Sequence, residues 1–250
     1  MTEPDAAGAG LELASSHDDT VRHVTVPGGQ LHASTAAALV RLADDLLEDR
    51  AVRVVTLTAR SSPFCSGPAP DLDPITLDPD PAAAWSRLRV PVIALIDGPC
   101  RSVGLELALA CDIRLATPDA RFAFPDLAAG RLPCWGGTQR LPRAIRPAEA
   151  TAMLLLGTEI DADRAVELGL VHDRVDDLAA AAETAAAALA ARGPLSLELA
   201  KEAVHRGAEL PLRDGLRLEG DLNHQLAATE DRAEGLQAFF DKRPPDFAGR

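Results

Sequence analysis

The chain has 250 residues, and 38 acidic against 25 basic side chains give it a formal net charge of −13. That balance argues against general nucleic-acid binding, which needs a basic stripe to neutralise phosphates. With Lys201 and Lys242 as its only lysines, it also lacks a polybasic patch for a membrane surface. A hydrophobic fraction of 47% suits a folded domain. Tyrosine is absent and aromatics make up 3%, so the core has to be built from Ala, Leu and Val.

Residues 1–19 read as a flexible lead-in. The N-terminus is acidic and polar, without the charged-then-apolar order of a signal peptide. No run reaches the roughly 18 apolar residues of a membrane span, so the expectation is a cytoplasmic protein. Residues 20–26 read as a strand closed by Pro27-Gly28-Gly29. Ser34 is placed as the N-cap of a helix through Leu47, and 52–58 is a buried-strand run. The stretch 60–81 is too rich in proline for regular structure and long enough to be functional.

Residues 90–96 predict a strand, 103–110 a helix and 113–116 another strand. This alternation indicates an α/β class with a mainly parallel sheet. Beyond residue 137 the periodicity is helical, over 151–156, 161–168, 178–191, 195–206, 211–229 and 231–241. The helices from about 193 onward read as a lobe packed on the core or on a neighbouring copy.

Cys65, Cys100, Cys111 and Cys134 form neither a disulfide framework nor a zinc spacing, and apolar runs around three of them predict reduced, buried thiols. The six histidines are dispersed without ligand spacing, so no metal site is expected. Dinucleotide, P-loop and HExxH patterns are absent, and Ser66 lies outside a GxSxG elbow.

Four segments in order carry a resemblance. They are Phe64-Cys-Ser-Gly67 with Asp71-Leu72; residues 91–98 leading into Gly104-Leu-Glu106 and Asp112; residues 120–126 with Gly136-Gly-Thr-Gln-Arg-Leu-Pro142; and residues 238–249. Together they resemble the crotonase superfamily, also called the enoyl-CoA hydratase/isomerase family. The resemblance implies a spiral of ββα units over residues 20–192. It further implies a C-terminal helical region, 193–250, serving oligomerisation and pocket closure in a homotrimer or homohexamer. No cofactor is implied, coenzyme A entering only as part of an acyl thioester substrate.

The resemblance also implies a chemistry, in which two backbone N–H groups stabilise a thioester enolate and two carboxylates move protons. Carried over, the carboxylates fall on Glu106 and on Asp126, where hydratases usually have glutamate. A helix-terminal acid and a solvated loop acid are the respective alternatives. One amide falls on Val103, within Ser102-Val103-Gly104 where the family commonly has three glycines. The other should follow Gly67, but Pro68 has no N–H, which leaves Ala69 as the candidate donor or that half of the hole missing.

Ser66, Gly67, Pro68 and Gly104 would line the substrate, and Cys134 and Trp135 would reshape the acyl pocket. The lysine that often follows the first loop is Asp73 here, so Arg60, Lys242 and Arg243 remain as candidates for the CoA phosphates. Arg101 is either an anion contact or an interface residue. Three readings stay open: an enoyl-CoA hydratase or isomerase acting on an atypical substrate, a silent or repurposed binding protein, and an enzyme for a carrier-bound or CoA-free substrate.

Overall fold

The computed structural model of the chain describes residues 10–250. Its first half runs β1 (Glu12–Ser16), β2 (Val21–Val26), β3 (Gln30–Leu31), α1 (Ala33–Glu48), β4 (Val54–Ala59), β5 (Gly67–Pro68), α2 (Pro81–Ser86), β6 (Val92–Ile96), β7 (Pro99–Arg101), α3 (Val103–Ala110), β8 (Ile113–Ala116) and β9 (Arg121–Ala123). The second half is mostly helical: α4 (Gly137–Ala144), α5 (Pro147–Leu156), β10 (Ile160–Asp161), α6 (Ala162–Leu168), β11 (Asp173–Arg174), α7 (Leu178–Ala190), α8 (Pro194–Gly207), α9 (Leu212–Ala227) and α10 (Glu230–Asp241).

The main sheet has the order β1-β2-β4-β6-β8-β11. The β1–β2 pair is antiparallel and the others are parallel. Its central strand β6 is buried on both faces, and its residues alternate between two cores. Val92, Ala94 and Ile96 join the large core that also contains residues of α1, α2 and α3. Ile93 and Leu95 face the opposite layer, where Ala182, Ala186 and Ala190 of α7 pack with them. Alanines at this spacing give α7 a flat apolar stripe, so the Ala-rich segment is a packed helix. A three-stranded sheet, β10-β9-β7, stands apart from the main one and carries the chain into α3.

Several expectations are corrected. Residues 1–9 of the expected lead lie outside the described residues, but residues 12–16 pair with β2 as an ordered strand. Ser34 does not cap α1: the N-cap is His32, without a side-chain bond, and Ser34 lies inside the first turn. The proline-rich stretch ends in the short helix α2. Asp80 caps it, its carboxylate accepting from the Ala83 N–H at 2.7 Å, and Pro81 occupies the first turn. That is the arrangement in which a missing N–H is harmless.

The C-terminal helices pack as a unit, α8 against α9, and are held to the core by partly buried charge. Lys201 Nζ donates to the Val90 carbonyl at 2.8 Å and to Asp112 Oδ2 at 2.7 Å. Arg89 also pairs with Glu198. The apolar stripe of this region is divided: Leu222 is buried, whereas Leu212 and Leu216 are 79% and 57% exposed. Cys65, Cys100 and Cys111 are buried free thiols and Cys134 is an exposed one.

Candidate active site

Helix α3 is buried along its whole length, and Glu106 is its one acidic residue. Two glycines make room around it. A Cβ at Gly104 would lie 2.2 Å from Cys65 Cβ, so the 64–68 segment can rest on the first turn of α3 only if that position is bare. A Cβ at Gly137 would lie 2.9 Å from the Phe124 ring and 3.0 Å from Glu106 Cγ. Glycine there lets the start of α4 close on the carboxylate.

Glu106 Oε1 accepts the Trp135 N–H at 2.8 Å and the Gly137 N–H at 2.7 Å, while Oε2 is buried without a partner. Burial outweighs the two N–H bonds and pushes the carboxyl up to about 7, with the negative charges of Asp126 and Asp80 adding to the rise.

The alternative of a solvated loop acid fails for Asp126, which opens a 3₁₀ turn, Asp126–Ala129, and is buried. Its Oδ1 accepts the Ser102 hydroxyl at 2.5 Å and lies 3.8 Å from Arg131 Nε. Its Oδ2 is a buried atom without a partner. Each carboxylate therefore has one oxygen held by the protein and one left over. A buried polar atom with no partner is costly, and it needs an occupant such as water or substrate to account for it.

The two expected amide donors fare differently. Val103 is the first residue of α3, so its N–H has no acceptor one turn back within the helix. Ala69 does not supply the donor expected of it. The short parallel pairing of β5 with β3 draws the segment sideways, and the Ala69 N–H donates to the Leu31 carbonyl at 2.9 Å. Gly67 and Pro68 remain beside α3, a Cβ at Gly67 lying 3.8 Å from Ser102 Cβ.

Cys134 sits among the acids, its thiol pushed up to about 11 by burial and then by Glu106 and Asp80. Trp135 belongs to the core more than to a pocket wall. It is 1% exposed, and its indole N–H donates to the Pro74 carbonyl at 2.9 Å. Trp135→Ala is accordingly expected to lose about 3–5 kcal/mol of stability. Trp135→Phe, which mainly drops the Pro74 bond, is expected to lose about 1–3 kcal/mol. Urea unfolding measures both, and a Trp135→Phe protein as stable as the parent would refute an anchoring role for the indole N–H.

The structure does not bring the four candidate cations to the carboxylates. Arg60 donates to Glu12 at 2.6 Å and to the Gly10 carbonyl at 3.2 Å. Arg101 is paired with Glu159 at 2.8 Å. Arg243 holds both oxygens of Glu234, at 2.6 and 2.8 Å, and Lys242 is the exposed C-cap of α10. Sequence reasoning missed the Trp135 and Gly137 amides, the Ser102 hydroxyl and Arg131. Ser102 was visible as a departure from glycine, whereas Arg131 carried no signal. Among the described residues no helix is long and apolar enough to cross a membrane.

Two buried carboxylates thus lie near the N-terminus of an apolar helix, in an α/β fold with a helical C-terminal region. The chain belongs to the enoyl-CoA hydratase/isomerase family, whose model matches residues 30–250. It is 38% identical over 234 residues to 2,3-dehydroadipyl-CoA hydratase of Escherichia coli K12, covering 88% of this chain and 91% of that one. Over 231 residues it is 36% identical to (E)-benzylidenesuccinyl-CoA hydratase of Thauera aromatica, covering 88% and 90%. The crystal structure of enoyl-CoA hydratase from Bacillus anthracis superposes with a TM-score of 0.88 at 30% identity, covering 96% of this chain and all of that one. The fold is that of the crotonase superfamily.

Proposed function

We propose that this protein hydrates a 2-enoyl-CoA thioester of atypical acyl structure. The observation that carries the reading is the pair of partnerless buried oxygens, Glu106 Oε2 and Asp126 Oδ2. A water held between them adds its oxygen to C3 as one carboxylate takes its proton. The other carboxyl, holding a proton at the outset, delivers it to C2. Glu106, whose carboxyl titrates near 7, suits the donor, since an acid works best with a pKa near the working pH. The enolate charge between these steps falls on the thioester oxygen, where the Val103 N–H is the fixed donor.

The substrate class draws support from the relatives. Both 2,3-dehydroadipyl and benzylidenesuccinyl groups bear a carboxylate besides the thioester, and Arg131 stands half-exposed beside Asp126. The deciding experiment is turnover of a panel of enoyl-CoA thioesters, straight-chain and carboxyl-bearing, with Glu106→Gln as control. Hydration of at least one, abolished in the variant, is expected. The engaged Ala69 N–H favours a second reading, a silent member that binds its ligand without turning it over. Tight thioester binding with no hydration of any panel member would establish it.

We assign the assembly to a homotrimer or homohexamer working in the cytoplasm. Leu212 and Leu216 of α9 and Phe239 and Phe240 of α10 are exposed, apolar side chains of the kind a helical interface covers. Light scattering is expected to give three or six times the 26.3-kDa chain mass. A monomer at micromolar concentration would refute the assignment.

A further inference from the structure

Ser102 stands where the backbone calls for glycine. Its φ of 51° and ψ of −128° lie in a region that residues with a Cβ rarely hold, and such strain persists where the surroundings over-determine it. The residue is 1% exposed, so no solvent contact explains a hydroxyl at this place. The hydroxyl is used, donating to Asp126 Oδ1 at 2.5 Å. The same residue's N–H donates to the Ala123 carbonyl at 3.2 Å, and its carbonyl accepts the Glu106 N–H at 3.0 Å. One residue thus ties together the start of α3, the end of β9 and the carboxylate of Asp126. Bare backbone at 102 would leave Oδ1 with Arg131 alone, at 3.8 Å.

We propose that Ser102 is a positioning residue for Asp126: its hydroxyl holds Oδ1 so that Oδ2 is presented to the reacting thioester, and it spans the gap left by the shorter acid. This rests on the hydratase reading above. Aspartate reaches one methylene less far than glutamate, and a serine on the opposite wall restores a fixed partner. The charged or titratable groups facing Asp126 are Glu106 from α3, Arg131 from the segment after the 3₁₀ turn and Cys134 ahead of α4, while Asp80 and Asp73 act on Cys134 from farther along the site.

The test uses the full-length protein and the best substrate of the panel. Ser102→Gly relieves the backbone and is expected to keep or raise the melting temperature, yet to lower kcat on the order of 10²-fold. KM should stay nearly unchanged, since the Ser102 hydroxyl is engaged by Asp126 and not by substrate. Ser102→Gly combined with Asp126→Glu restores a long acid beside bare backbone and is expected to recover most of the loss. In an Asp126→Asn background, Ser102→Gly should change kcat little further. Unchanged kcat in a well-folded Ser102→Gly protein, or a loss confined to KM, would overturn the proposal, leaving Ser102 a structural residue. If the unmodified protein hydrates no thioester, the hydratase reading fails by itself. The Ser102–Asp126 linkage is then read from urea unfolding of the same single and double variants, where additive effects would overturn it.

Discussion

Glu106→Gln is expected to remove at least about 10³-fold of the activity while making the protein more stable at neutral and alkaline pH. The carboxyl rises from 4.5 to about 7 on folding. Between those values the folded chain keeps a proton that the unfolded chain has released, so stability falls as pH rises through that window. Below about pH 4.5 both states are protonated, and the carboxyl makes no pH-dependent difference. Above about 7 the full loss of about 3 kcal/mol is present, each pH unit crossed between the two values having removed roughly 1.4 kcal/mol. Glutamine keeps an oxygen for the Trp135 and Gly137 N–H groups and never ionises. The stability difference between variant and parent should therefore be small at pH 4.5, grow to pH 7 and stay level to pH 9. Urea unfolding at these three pH values measures it, and a difference independent of pH would show that Glu106 ionises as an ordinary surface acid.

Crotonyl-CoA, a short straight-chain substrate, is expected to be hydrated slowly by the unmodified protein. Pro68 has no N–H, and the Ala69 N–H is bonded to Leu31. Removing one oxyanion donor lowers rates by about 10²- to 10³-fold. Asp126 retracts its carboxyl by roughly 1.5 Å relative to glutamate, and a misplacement of about 1 Å is worth on the order of 10²-fold. For a substrate lying as it does in a glutamate-bearing relative, these factors multiply to roughly 10⁴- to 10⁵-fold. Steady-state kinetics against a dedicated hydratase in the same buffer provides the comparison. Comparable kcat/KM values would mean that substrate binding pulls β5 away from β3 and frees the Ala69 amide.

The parts of this protein legible in its sequence are those whose signal is local. The run from Val103 to Ala110 is uniformly apolar except for one glutamate, and it forms a buried helix with that glutamate as its polar feature. The strand 113–116 and the helices beyond 147 follow from periodicity in the same way. What was not legible depends on partners distant in the chain. Glu12–Ser16 has little apolar alternation and becomes a strand because β2 offers it an edge. Strands β7 and β9, of three residues each, exist by pairing with one another. The state of the Ala69 amide depends on Leu31, and Arg60 and Arg101 are engaged by Glu12 and Glu159. No motif records such pairings, so the sequence named these arginines without the carboxylates that engage them. Ser102 lay between these cases: its departure from glycine was plain, but its meaning required the position of Asp126.

The hairpin formed by β1 has a bearing on how copies of the chain meet. Without it, β2 would present a parallel edge of exposed amides and carbonyls, open to a strand from another molecule. The antiparallel strand that covers this edge is five residues long, carries Glu12, Ser15 and Ser16, and is exposed over most of its length. Short, polar borders of this kind resist cross-β stacking. Association through a shared intermolecular sheet is therefore disfavoured at this border.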